Sequence, residues 1–487
     1  MRLLITLTFL ALGAACGAQE VQVDFGKPLG QVRPLHGVNG GPLCYRGTVD
    51  LSAYHKELGI PLTRLHDVPW VNAEAVDIHT LFPDFRRDPD DPSSYDFRQT
   101  DDYIDAILKV GSRVVYRLGE SIEHTSRKYH VNPPADPEKW ARVCLGVVRH
   151  YNDGWAGGFH HGIRYWEIWN EPDVRPAMWT GTDEEFLHLY EVTARALKTA
   201  YPNLRVGGPA IGGSGEYQGD TFQPSPFLTR FLTFCRDNKV PLDFFSWHRY
   251  TSDPRSLPRQ ARAVRKLLDE YGFAGTESHL NEWNYLPGDD WGPLLKEGQG
   301  PARDRWYARM GSEEGAAFAT AGLLLLQDAP VDAANYYTGE VQGFGLFNFS
   351  GTPKKSFYAF KAFRELLDTP NRVALQAPAE GSWAAIAGLS ADRASASVML
   401  SHWGVVPAGN RGSAEPVRQP PPARERPPVL SLSHLPWTGD TVAEVFAVDA
   451  THNLERLSRQ VLTGDSPHLE LPAAAPTVLL VRLTRGP

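Results

Sequence analysis

The feature that most constrains this chain is an alternation. From about residue 30 to residue 368, short β-prone runs exchange with stretches of helical periodicity. The strand-like runs are eight: Leu35–Asn39, Leu62–His66, Arg113–Leu118, Ile163–Asn170, Arg205–Ala210, Asp243–His248, Ser278–Glu282 and Ala333–Tyr337. The helices between them carry their own punctuation. Asp136 before Pro137 is an N-cap with proline at the first helical position. Behind it Trp140, Val143, Cys144, Val147, Val148 and Tyr151 fall on one face. Thr182 with Glu185 makes a capping box, and Gly111 stops a third helix. Strands joined through helices lie parallel, and eight such units are the number that closes into a (β/α)8 barrel. An open doubly wound sheet is the competing arrangement, but no glycine-rich phosphate loop follows the first strand.

After about residue 370 the helical period fades. Trp383–Leu389, Ser395–His402, Val429–Ser433, Thr441–Val448 and Thr477–Leu483 read as strands of an antiparallel β-sandwich. The expected organisation is therefore a barrel over 35–369 and a sandwich over 370–487. A strand within 19–34, around VQVDFG, is expected to join the sandwich. Residues 405–428 hold seven prolines and read as a long surface loop. The first 18 residues have the layout of a secretory signal. Arg2 supplies the charge, Leu3 to Leu12 the apolar stretch, and Ala14 to Ala18 the small residues before cleavage. Lipid attachment at Cys16 is the less favoured reading, because Gly13 stands where a lipobox usually has leucine. Cys44, Cys144 and Cys235 are too far apart for a metal motif and read as packing residues rather than a disulfide framework.

Composition narrows the function. The net charge is 49 − 57 = −8, which argues against a nucleic-acid partner. No second segment is long and apolar enough to span a bilayer. Catalytic groups of such barrels stand at the C-terminal ends of the strands. Glu171 lies just past the fourth strand in YWEIWNEPD (165–173), and Glu282 lies at the end of the seventh in HLNEWNY (279–285). Three βα units of roughly 35–40 residues fill the interval between them, so the two carboxylates face each other across the barrel mouth. Each follows an asparagine. Such a pair is what glycoside cleavage requires: one carboxyl to protonate the leaving oxygen, one to attack the anomeric carbon or activate water. The two need opposite protonation states, with Glu171 the more desolvated and protonated, and Glu282 ionised by nearby donors. Glu167 has the same strand parity as Glu171 but lies one layer deeper, where an inward arginine such as Arg64 or Arg117 would pair it. Glu120, Glu123 and His124 lack a further ligand motif, so no metal or other cofactor is expected. Asp67, Asp289 and Asp290 read as loop residues, Glu277 lies at the wrong end of its strand, and Glu340 has no spacing to place it.

WEIWNEPD (166–173) and HLNEWN (279–284) resemble the acid/base and nucleophile strands of clan A glycoside hydrolases. LDFFSWHRYTSD (242–253), with YDFRQTDDYIDAILKVG (95–111), is more specifically similar to glycoside hydrolase family 39, which contains β-xylosidases and α-L-iduronidases. The resemblance implies Glu171 as general acid/base and Glu282 as nucleophile, with Asn170 on the sugar 2-hydroxyl. It also implies His248 and Tyr250 beside the nucleophile and His66 near the substrate, with Arg64 supporting the glutamates from inside. His248 as a structural histidine and Tyr250 as loop packing stay open, and Trp283 either floors the sugar or packs. The expected function is a secreted retaining exo-glycosidase of β-xylosidase type on an oligosaccharide or glycoside. Iduronidase, arabinosidase or glucosidase activity, a non-catalytic carbohydrate-binding barrel and a surface lipoprotein are the rivals. For a uronide, Arg249 is the one cation that the motif region offers.

Overall fold

Eight short parallel strands close on one another: β1 (Gly37–Asn39), β2 (Leu62–Leu65), β3 (Arg113–Leu118), β4 (Tyr165–Ile168), β5 (Arg205–Ile211), β6 (Phe244–Thr251), β7 (Glu277–Tyr285) and β8 (Ala333–Tyr336). All eight overlap the runs read from the sequence, with ends that differ by up to three residues, and β8 pairs with β1 to complete the ring. The structure is a computed structural model. It describes residues 20–295, 300–378, 381–404, 428–464, 466–472 and 475–486. The signal segment 1–18 with Cys16, and the proline-rich stretch 405–428 apart from its last residue, lie outside the described residues.

Local chemistry sets the elements. The Asp136 side chain accepts from the Lys139 amide, and both halves of the Thr182/Glu185 capping box are made. Cys144 and Cys235 sit on the buried faces of their helices, and with Cys44 they are free thiols. No helix among the described residues is long and apolar enough to cross a membrane.

One boundary matters for the site. β4 ends at Ile168, not Asn170, because the backbone turns left-handed at Trp169 (φ 71°) and again at Glu171 (φ 45°). The turn is pinned on both sides. The Trp169 amide donates to the Leu118 carbonyl at 2.7 Å, and the Glu171 amide to the Ala210 carbonyl at 2.9 Å. Strand parity therefore does not extend to Glu171, and the equivalence of Glu167 and Glu171 by alternation is corrected.

The second domain is one continuous sheet of nine strands. In spatial order they are Asn453–Leu462, Thr441–Val448, Thr477–Arg485, Ser395–His402, Trp383–Leu389, Asn371–Gln376, Glu20–Gln31, Val429–Ser433 and His468–Glu470. The N-terminal strand lies antiparallel to Asn371–Gln376 and parallel to Val429–Ser433. One face folds over a core of its own, where Val21, Val23, Leu430 and Leu432 meet Val445, Leu479 and Val481. The other face gives Ile386, Met399, Val448 and Leu480 to the barrel core. Between barrel and sheet runs the helix Glu313–Leu325, apolar around its whole circumference because both sides are covered. Ser401 Oγ donates to its Ala317 carbonyl at 2.6 Å. The strand Asn453–Leu462 escaped the sequence reading because it is an edge strand, mostly exposed, with little apolar alternation.

Close backbone approach makes Gly207 on β5 a sensitive position. A Cβ there would lie 2.1 Å from the Phe244 carbonyl oxygen on β6. Gly207→Ala should therefore lower stability by about 2 kcal/mol or more, read as a reduced thermal midpoint. An unchanged midpoint would show that β5 and β6 can separate freely.

Candidate active site

The site is built upward from Arg64. Its side chain projects from β2 into the barrel and is fully buried, so every donor needs an acceptor. Nε donates to Glu167 Oε2 at 2.6 Å. Nη1 donates to Glu282 Oε1 at 2.8 Å and Asn39 Oδ1 at 3.0 Å, and Nη2 donates to Asn170 Oδ1 at 2.6 Å. One guanidinium thus joins β1, β7 and both ends of the β4 motif. Glu167 is completed by Asn281 Nδ2, which donates to Oε1 at 2.5 Å. Glu167 is thus a buried strut paired with Arg64. Arg117, the other candidate, is taken by Asp77 at 2.6 Å.

Above this layer stand the two candidate catalytic carboxylates. One oxygen of Glu171, one ring nitrogen of His248 and one oxygen of Glu282 all lie within 4.8 Å of one another. His248 Nδ1 is 2.7 Å from Glu171 Oε1 and 3.4 Å from Glu282 Oε2. The Tyr250 hydroxyl donates to Glu282 Oε2 at 2.7 Å. Glu282 is therefore held on both oxygens. Glu171 is the more open, its side chain 18% exposed against 6% for Glu282, so the expectation that it is the more desolvated of the two is corrected. What distinguishes it is that it lacks the Arg64 and Tyr250 donors that Glu282 has.

Burial, reinforced by the charge of Asp173, pushes the Glu171 carboxyl up to about 8. Burial also raises Glu282; Arg64 and the Tyr250 hydroxyl oppose it, and His248 does so only when protonated. His248 is pushed down to about 4, chiefly by burial, so near neutral pH it is an uncharged imidazole. Asp173 closes the sequence motif structurally, accepting from the Gly212 and Gly213 amides at 3.0 and 2.8 Å.

The remaining residues divide. Asn170 spends its carbonyl on Arg64, and its amide group has no protein partner among the described residues. His66 is buried beside the pair, with Nε2 at 4.0 Å from Glu282 Oε1 and 3.2 Å from Asp67 Oδ2. Asp67 had read as a loop residue. It instead accepts from the Tyr337 hydroxyl at 3.2 Å and, through Oδ1, from the Ile122 amide at 3.2 Å. Asp67 and Tyr337 are the members that sequence reasoning missed. The available signal was their position, each one residue beyond the end of a strand-like segment or at its last residue.

Trp283 is corrected as a sugar contact. The strand places Glu282 inward and Trp283 outward, where it is fully buried against Phe318, Tyr336 and Gly322. Arg249 turns to the hairpin after β5, 3.6 Å from Glu216. Glu277 bonds Tyr165 and His279 at the opposite end of β7. Glu340 is wholly buried against Gly40, and its Oε1 accepts from Gln342 at 2.8 Å.

Asp77, His79 and Glu120 also bring three ligand-type atoms within 4.8 Å. Their donors are already matched internally. Asp77 is occupied by Arg117 and Ser121, and Glu120 Oε2 lies 2.5 Å from His79 Nδ1.

Two stability consequences separate the motif's glutamates. Glu167→Gln leaves Arg64 short of a buried countercharge and should cost about 3 kcal/mol in a denaturant titration; no change would show that Arg64 is satisfied without it. For Glu171 the folded carboxyl holds its proton up to about 8, whereas an unfolded one releases it near its ordinary value. Stability is thus lost as pH rises across that window. Glu171→Gln should become progressively more stable than the parent between pH 5 and pH 8, by thermal melt. A difference independent of pH would refute the raised carboxyl.

Comparison with known proteins bears on this geometry. The family model described as Glycosyl hydrolases family 39 matches residues 21–404. A β-xylosidase of Geobacillus stearothermophilus is 29% identical over 307 residues, 56% of this chain and 57% of that enzyme. The chain thus spans little more than half of that relative's length. A β-xylosidase of Caldicellulosiruptor saccharolyticus is 26% identical over 71% of this chain and 72% of its own length. Among solved structures, a glucosidase from Croceicoccus marinus superimposes with a TM-score of 0.77 and 26% identity, covering 96% of this chain and 99% of that one.

Proposed function

The chain belongs to glycosyl hydrolases family 39, and from that premise we propose a retaining exo-glycosidase of β-xylosidase type. Glu171 is its acid/base and Glu282 its nucleophile. The observation that carries the proposal is the spacing of two carboxylates in opposite environments. One oxygen of Glu171 and one of Glu282 lie within 4.8 Å of each other, too close for a water to stand between them along that line. Retaining enzymes hold the two groups about 5–5.5 Å apart, whereas inverting enzymes leave room for a water between them.

In the first step a Glu282 oxygen bonds to the anomeric carbon while the Glu171 proton passes to the departing glycosidic oxygen. In the second, Glu171, now a carboxylate, takes a proton from water. That water attacks the anomeric carbon from the face opposite Glu282, releasing the sugar and restoring both glutamates. Arg64 and Tyr250 hold Glu282 in the attacking form. His248, uncharged, orients Glu171 without supplying a competing charge. The Asn170 amide is the donor for the sugar 2-hydroxyl, and His66 lies on the same side as Glu282.

A second reading, glucoside cleavage, is favoured by the likeness to the Croceicoccus marinus glucosidase over nearly the whole chain. A uronide fits less well, because Arg249 faces Glu216. The charged start, apolar run and small residues of 1–18 support export as part of the proposal.

A panel of nitrophenyl pentosides, hexosides and uronides tests the activity, with the anomer of the first-formed product followed by NMR. No hydrolysis, or an inverted product, overturns the proposal. kcat/KM should show a basic limb near pH 8 that Glu171→Gln removes; a limb unchanged in that variant assigns the proton donor elsewhere. Glu171→Ala should spare an activated nitrophenyl leaving group far more than a natural glycoside. Azide should rescue it as a β-glycosyl azide. Glu282→Ala should lose turnover on both substrates, and azide should restore no product of retained configuration.

A further inference from the structure

The sequence Gly343-Phe344-Gly345 belongs to no catalytic motif, yet the chain is built to present its central ring. It lies between β8 and the helix Lys355–Leu366. Gly343 carries no side chain because a Cβ there would stand 2.1 Å from the Tyr307 ring. Gly345 carries none because a Cβ would stand 1.9 Å from the Glu340 carbonyl oxygen. Lys354 Nζ donates to the carbonyls of Gln342 and Gly343 at 2.7 and 2.8 Å, which fixes the turn just before the ring.

Phe344 enters a small core separate from the main one, shared with Leu286, Trp306 and Met310. Its ring centroid is 5.5 Å from Trp306, 5.6 Å from Tyr307, 6.3 Å from Trp291, 5.6 Å from Tyr337 and 6.1 Å from Tyr250. Most of these contacts are edge-to-face, a geometry that fixes ring orientation as well as distance. The last two rings are the ones whose hydroxyls reach the site. Tyr250 donates to Glu282 and Tyr337 to Asp67, which lies against His66. Trp291 braces Tyr250 from a second side at 5.1 Å.

We propose that Phe344 is a positioning residue for the nucleophile: by orienting Tyr250 and Tyr337 it holds in place the Tyr250 hydrogen bond that favours the carboxylate form of Glu282. The proposal rests on the reading of Glu282 as nucleophile. Other groups face that carboxylate too: Arg64 and His66 from β2, Glu171 beyond β4 with Glu167 beneath Arg64, His248 from β6, and Tyr337 beyond β8. The ring contacts of Phe344 reach the site at Tyr250 and Tyr337, so its proposed effect on Glu282 runs through these two tyrosines.

The test compares pH profiles of kcat/KM for the parent, Phe344→Leu, Tyr250→Phe and the double variant, on whichever glycoside the parent cleaves best. A lost donor raises the carboxyl it had served, so the acidic limb should move up by about one pH unit in Phe344→Leu. On the acidic side of the optimum that is a loss of about tenfold, with little loss on the basic side. Tyr250→Phe should move the limb the same way, and the double variant should be no worse than Tyr250→Phe alone. A rate reduced by one factor at every pH, or fully additive losses, would overturn the proposal and leave Phe344 a packing residue. Trp291→Leu should reproduce the shift and replaces Phe344→Leu if that variant fails to fold. An infrared difference titration of the carboxylate band missing in Glu282→Gln reads the same shift without turnover. A parent inactive on every glycoside thus refutes the proposed function, while an unmoved Glu282 band in Phe344→Leu refutes the positioning role.

Discussion

The structure depends on a buried cation. Arg64 carries a full positive charge in the middle of the barrel, where no water can solvate it. Removing such a charge from water costs several kcal/mol, and the cost is offset only when its donors meet well-placed acceptors. Arg64 meets Glu167, Glu282, Asn39 and Asn170 within 3.0 Å. Those acceptors come from three other strands. The requirement to satisfy one guanidinium therefore sets how β1, β2, β4 and β7 stand relative to one another, and it fixes one oxygen of the proposed nucleophile as a by-product.

From that plane upward, desolvation and charge divide the work between two chemically identical side chains. Glu282 sits lower, gripped by a cation below and a phenol above. Glu171 sits at the rim with a neutral imidazole and the charge of Asp173 for company, and its carboxyl is pushed up to about 8. The left-handed backbone at Trp169 and Glu171 makes this division possible. A regular strand would have sent Glu171 along the same direction as Glu167. Such strain at a cleft residue persists because the amides on both sides of Asn170 are anchored to neighbouring strands.

Much of this was legible beforehand, and unevenly so. All eight barrel strands fell where apolar runs alternated with helical periodicity, because local propensity and burial agree at those positions and several of the helices are also capped. Glu171, Glu282, Asn170, His66, His248 and Tyr250 come together at one mouth, as the strand-end rule expects. Trp283 did not follow. Its neighbour Glu282 points inward, so alternation sends Trp283 to the helix behind, and an aromatic beside an acid reads the same in either case. Asp67 and Tyr337 went unrecognised for the opposite reason. Each gains its meaning only from the other, and 270 residues separate them. The edge strand Asn453–Leu462 was missed because a strand with neither face buried has no pattern to read.

The sequence by itself determined the barrel and the second β-domain and brought Glu171 and Glu282 to one barrel mouth, since these rest on periodicity, caps and spacing along the chain. It also separated a deep Glu167 from a shallow Glu171. The tertiary structure decided which arginine pairs with Glu167, which donors surround each carboxyl, that the two carboxylates meet, and that a single sheet folds over its own core. It also decided that Phe344 meets the two tyrosines of the site. Each of these depends on groups distant in sequence meeting inside a medium that solvates charge poorly. There an interaction's strength follows from burial and from distances of a few ångströms, neither of which is written in the order of residues.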